Sequence, residues 1–185
     1  MKKIKIIAFL FFIITSVSSC FYGSFKGLTS NYNNEKENLK IVFLDSINDN
    51  QNSKSEIIYS LNGLSLKNQI SKYDKSLVYI WSTNCSSEFC LPLYSVQSIC
   101  DEKGIELFVI LEYYDKNVKD HFNQTKNPIF SIDHKYYETN FVSSYTEKFM
   151  DDLIGHKLND SISWKRYYYF EKDELKDVKR TIVSN

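Results

Sequence analysis

An α/β fold, a three-layer sandwich with a central mixed sheet and helices on both faces, is the class this sequence predicts. Three observations lead there. First, Leu77 to Trp81 is an apolar run rich in β-branched and aromatic residues and bounded by polar ones, as a buried strand requires. Second, the run breaks at Ser82-Thr83-Asn84, and an apolar series at helical spacing follows (Leu93, Val96, Ile99, Cys100), then a second strand-like run from Ile105 to Leu111. A strand, a crossover helix and a strand in that order form a parallel pair. Third, Ser163 to Phe170 and Leu175 to Ile182 read as an antiparallel hairpin around Lys172-Asp173, which makes the sheet mixed. Composition agrees: 14 Tyr and 13 Phe against 5 Gly and 2 Pro favour a sheet-containing fold over a disordered chain. With 185 residues the chain is long enough for one domain with a sizeable core. Its 23 Lys and Arg balance 23 Asp and Glu, so no strong field points to nucleic acid as a partner.

The first nineteen residues read as an export signal rather than as part of the fold. Lys2, Lys3 and Lys5 precede an apolar stretch, Ile6 to Ile14, that is short for a bilayer span. Val17-Ser18-Ser19-Cys20 then resembles a lipobox, the site where bacterial lipoproteins are acylated on cysteine and cleaved before it. That resemblance implies a mature chain that begins at a lipidated Cys20, is held to a membrane of the cell envelope, and works outside the cytoplasm, where disulfides persist. Residues 20–38 are expected to be a mobile tether, rich in Ser, Asn, Gly and Lys, and residues 39–185 the folded domain.

Within that domain, Leu39 to Leu44 reads as a strand, Asp45 to Ser55 as a polar loop, Glu56 to Ser60 as a second strand and Leu64 to Leu66 as a short third. Asn68 to Tyr73 reads as one helical turn. The helix after the central strand starts near Cys90 or is kinked at Pro92, and Gly104 stops it. Asn117 to Gln124 is expected to form a short helix, Pro128 to Ile132 a strand, and Phe141 to Ile154 a helix on the spacing of Phe141, Tyr145, Phe149 and Leu153, closed by Gly155.

Chemistry concentrates in Leu77-Val78-Tyr79-Ile80-Trp81-Ser82-Thr83-Asn84-Cys85-Ser86-Ser87-Glu88-Phe89-Cys90-Leu91-Pro92, where a thiol follows the end of a strand and precedes a helix. A cysteine beside a helix N-terminus has its thiolate stabilised. Five positions on a continuous helix separate Cα atoms by roughly 8–9 Å, beyond the reach of a disulfide. Cys85 and Cys90 therefore pair only if Cys85 precedes the helix or the first turn is irregular, and Ser86-Ser87 are good capping residues there. Glu88 between them would raise a thiol pKa rather than lower it. Three readings stand: a redox dithiol, a structural disulfide, or two free thiols. Cys100 falls on the apolar face of its helix and reads as an inert core residue.

The same stretch resembles the thioredoxin-like superfamily, in particular the membrane-anchored extracytoplasmic thiol–disulfide proteins of bacteria (the TlpA/ResA type). In these an apolar strand ends in Trp and the nucleophilic cysteine comes four residues later, as Trp81 and Cys85 do here. The run Tyr59 to Leu66, with Asn62-Gly63 as its turn, looks like the family's hairpin leading into the central strand, and the resemblance covers roughly residues 55 to 175. It implies that Cys85 attacks a substrate disulfide, that Cys90 resolves the mixed disulfide, and that Trp81 shapes the surface beside the thiol. The partners would be protein thiols or disulfides, and a monomer is expected. The chain departs from the family pattern in having four residues rather than two between its cysteines. Tyr79 and Leu91 stand where the family's buried proton-shuttling acid is expected. For the family's cis-proline, at the start of the strand facing the site, two alignments stand: the hairpin strand, which opens Ser161-Ile162-Ser163-Trp164 without a proline, or the strand preceded by Pro128. His121, His134 and His156 are scattered over different elements, so no metal and no cofactor is expected.

Overall fold

The computed structural model describes residues 26–47, 56–85, 90–157 and 165–182. The expected export signal, Cys20, the pair Ser86-Ser87, Glu88 and the stretch Ser161 to Trp164 lie outside the described residues. In chain order the elements are helix α1 (Tyr32–Glu35), strands β1 (Lys40–Phe43) and β2 (Ile57–Leu61), and helix α2 (Gly63–Ile70). Strand β3 (Lys75–Trp81), helix α3 (Leu93–Glu102), strand β4 (Glu106–Leu111) and a 3₁₀ helix (Lys116–His121) follow. Strand β5 (Phe130–Ile132), helix α4 (Val142–Ile154) and strands β6 (Tyr167–Glu171) and β7 (Glu174–Lys179) complete the set.

All seven strands form one mixed sheet in the order β1-β2-β5-β4-β3-β6-β7. The first five are parallel, and β6 and β7 run antiparallel to their neighbours. Period-two alternation sorts the side chains between two cores. Val78, Ile80, Phe108, Ile110, Tyr168 and Phe170 face α2 and α4, meeting Leu66, Ile70, Phe149 and Leu153. Leu77, Tyr79, Trp81, Leu107, Val109 and Tyr167 face α3 and the 3₁₀ helix, meeting Leu93, Val96, Cys100 and Val118. Helices thus cover both faces of the sheet, as expected, and β3 is interior and buried from Ser76 onward.

The sequence reading goes astray at Asn62-Gly63. No hairpin turns there: β2 pairs in parallel with β1 and β5, and Leu64 to Leu66 belongs to α2 rather than to a strand. Asn62 is the helix N-cap, its side chain accepting from the Ser65 N–H at 2.8 Å. Leu66 and Ile70, four apart, supply the buried stripe that holds the helix down. The described part of the expected tether is also not free. Lys26 to Asn38 packs on the domain: Leu28 O accepts from Val142 N, Ser30 O from Tyr114 N, and the Asn31 amide donates to Tyr114 O.

Candidate functional site

β3 delivers its last residue, Trp81, to the C-terminal edge of the parallel strands, where sites of open α/β sheets collect. Beyond Ser82 the chain turns, and the Cys85 N–H donates to Ser82 O at 3.3 Å. Cys85 and Cys90 are joined by a disulfide with Cα atoms 5.9 Å apart, and both residues are half-buried. Two free thiols are thereby excluded. Their bonding follows from where α3 starts: at Leu93, with Pro92 as N-cap, its carbonyl accepting from Ser95 N and Val96 N. Both cysteines precede the helix, so the spacing that would forbid a bond on a continuous helix does not apply. Along the chain Cys85 is eight residues from the helix start. Of the two, Cys90 is the nearer in sequence.

The Ser82–Cys85 turn is tied down by Asp115, whose side chain is fully buried in the loop after β4. Its carboxylate accepts from the Asn84 amide at 2.6 Å, the Asn117 N–H at 2.9 Å and the Lys26 ammonium at 3.1 Å. Asn84 also donates to the Tyr113 hydroxyl. Burial pushes the Asp115 pKa up, but the hydrogen bonds from Asn117, Asn84 and Lys26 outweigh it and hold the carboxyl below its ordinary value. One anion therefore joins the N-terminal segment, the loop after β4 and the residue next to Cys85. Tyr114 fixes the same loop from below, its hydroxyl in hydrogen-bond contact with Ser60 and Ser131.

The other residues marked in the sequence are dispersed. Trp81 is 5% exposed and meets His121 edge-on, so it lies under the cysteine-bearing turn rather than on the surface beside it. Tyr79 is buried and stacks on Tyr167 at 4.3 Å. Pro128 precedes β5, which is separated from β3 by β4, and no cis peptide bond occurs among the described residues. The structure does not bring Pro128 beside the cysteines. The residue at the head of the strand facing them is Arg166, just before β6, whose O accepts from Ile80 N and whose guanidinium donates to Ile80 O. Cys100 is buried, and burial pushes its thiol up to about 12. His156 follows the C-terminal end of α4, where the Ile154 carbonyl accepts from Lys67 of α2. Among the described residues no cluster of His, Cys, Asp or Glu is arranged to hold a metal ion.

Sequence reasoning missed an acid. Glu112 follows β4 and donates its N–H to Trp81 O at 2.7 Å, and its carboxylate lies 3.5 Å from Arg166. Burial raises its pKa, and Arg166 opposes that rise. A charged residue directly after a buried strand was the available signal. A folded pKa above the unfolded value means that ionised Glu112 costs stability, a cost that appears as pH rises through that pKa and that Arg166 reduces. Arg166→Ala is therefore expected to lose about 1 kcal/mol near neutral pH and little in acid, where Glu112 is protonated. Denaturant unfolding at both pH values reads this. Equal losses would show that the guanidinium acts only through packing and its bond to Ile80.

No protein-family model, curated protein or solved structure matches this chain. Among the described residues no helix is long and apolar enough to cross a membrane.

Proposed function

We propose that this is a thioredoxin-like lipoprotein that exchanges thiols and disulfides through Cys85 and Cys90. The observation that carries the reading is a partly exposed disulfide at the C-terminal edge of an interior strand, where that strand hands over to a crossover helix. Support comes from Trp81 closing the strand, the parallel β3–β4 pair, the antiparallel β6–β7 hairpin, and helices on both faces. In the reduced protein the Cys85 thiolate attacks a substrate disulfide, forming a mixed disulfide and releasing one substrate thiolate. The Cys90 thiolate then attacks the Cys85 sulfur, forming the intramolecular disulfide and releasing the second substrate thiolate. Two electrons pass to the substrate, and the protein ends in the bonded state described above. Run backward, the same steps oxidise a dithiol.

A second reading, a binding or scaffold module with a structural staple, is favoured by the start of α3 at Leu93, eight residues beyond Cys85 along the chain rather than directly after it. A redox titration separates the two. An exchange pair is expected to have a potential above about −300 mV, and Cys85 is expected to alkylate near neutral pH faster than Cys90 or the buried Cys100. A potential below that value, with Cys85 titrating as an ordinary thiol, would leave only the staple.

A further inference from the structure

Cys20 precedes the first described residue, Lys26, by only six positions. Fully extended, that stretch spans about 20 Å. Lys26 to Asn31 is fastened to one pole of the domain, the edge formed by the C-terminal ends of the parallel strands. Lys26 binds Asp115, Leu28 O accepts from the first turn of α4, and Ser30 exchanges backbone hydrogen bonds with Asn140 and Tyr114. That pole is also the pole of the disulfide, since Asp115 grips Asn84. A domain of this size is about 35–40 Å across. A chain anchored at Cys20 therefore cannot present its opposite pole, where Lys103 and Gly104 lie, to the bilayer, because the anchor would not reach.

Surface chemistry points the same way. The exposed large apolar side chains of the described residues are Leu28, Leu64, Tyr94, Tyr136 and Phe141. Leu28 is in the fastened segment, Leu64 and Tyr94 are in the first turns of α2 and α3, and Tyr136 and Phe141 are in the β5–α4 connection. All five follow the C-terminal end of a parallel strand or lie in the segment fastened there, so the exposed apolar side chains of the described residues are placed toward the disulfide pole.

We infer that the disulfide pole is turned toward the membrane, so that the surface it meets is the lipid headgroup layer. The inference rests on the lipidation at Cys20 proposed above. It is tested on the lipidated full-length chain in vesicles, kept oxidised so that Cys85 and Cys90 are bonded and Cys100 is buried. A donor dye on Tyr136→Cys or on Lys103→Cys is read against a headgroup-labelled lipid acceptor. Strong energy transfer is expected from position 136 and much weaker transfer from position 103, with the difference lost when a long Gly-Ser insert follows Cys20. Equal transfer from both positions with the native tether, or stronger transfer from position 103, overturns the orientation while leaving anchoring and exchange intact. A chain that does not associate with vesicles at all overturns the anchor and the orientation together.

Discussion

Cys90→Ala is expected to halt exchange at the mixed disulfide, with one substrate thiol bound per protein molecule and turnover reduced to background. The size of the effect follows from what Cys90 supplies. A thiol held near the Cys85 sulfur reacts at an effective concentration far above that of any thiol in solution. No other protein thiol takes its place, because Cys100 is buried and its pKa stands at about 12. Intact mass after incubation of the reduced variant with a disulfide substrate reads the result as an added substrate half. The mirror variant, Cys85→Ala, is expected to form no such adduct. If that variant traps instead, Cys90 is the attacking residue, consistent with its nearness to α3. If neither traps, exchange is not what the pair does.

Gly63→Ala is expected to cost about 3 kcal/mol and to lower Tm by about 6–12 °C. Gly63 opens α2 where that helix crosses α4, and a methyl group there would run into the Phe149 carbonyl oxygen and come within 2.8 Å of Leu153 N and Asp152 Cβ. The obstacles are mainly backbone, so a rotamer change cannot relieve them. The close approach also serves a polar chain, in which Gly63 N donates to the Tyr137 hydroxyl and that hydroxyl donates to Asp152, each at 2.9 Å. Thermal unfolding followed by circular dichroism measures the loss. An unchanged Tm would mean that α2 and α4 do not approach this closely in solution.

Where hydrophobic period and burial coincide, the sequence was readable. β3, α3 and β4 carry long runs whose spacing admits one interpretation, and Gly104 and Gly155 close their helices at φ 64° and 88°. The α2 segment was not readable because Asn62-Gly63 is both a good hairpin turn and a good cap followed by a small residue. Only the parallel neighbours of β2 decide between the two. Trp81 held an unused clue. Leu77, Tyr79 and Trp81 alternate onto one sheet face, so once α3 covers that face the indole is buried. The Asp115 tie was beyond sequence reading. Its partners Lys26 and Asn84 lie 89 and 31 residues away, in stretches without period, and meet only because the topology gathers their loops at one edge.

Strand β7 bears on how copies of this protein behave when crowded together. It is the last strand on its side of the sheet, and its outer backbone groups are a template that another chain's strand could extend. Along it Glu174 pairs with Lys176 and Asp177 with Lys179, at 2.6 and 3.1 Å. An added strand would have to strip water from this row of alternating charges and match its signs residue by residue. The edge therefore resists sheet-to-sheet polymerisation.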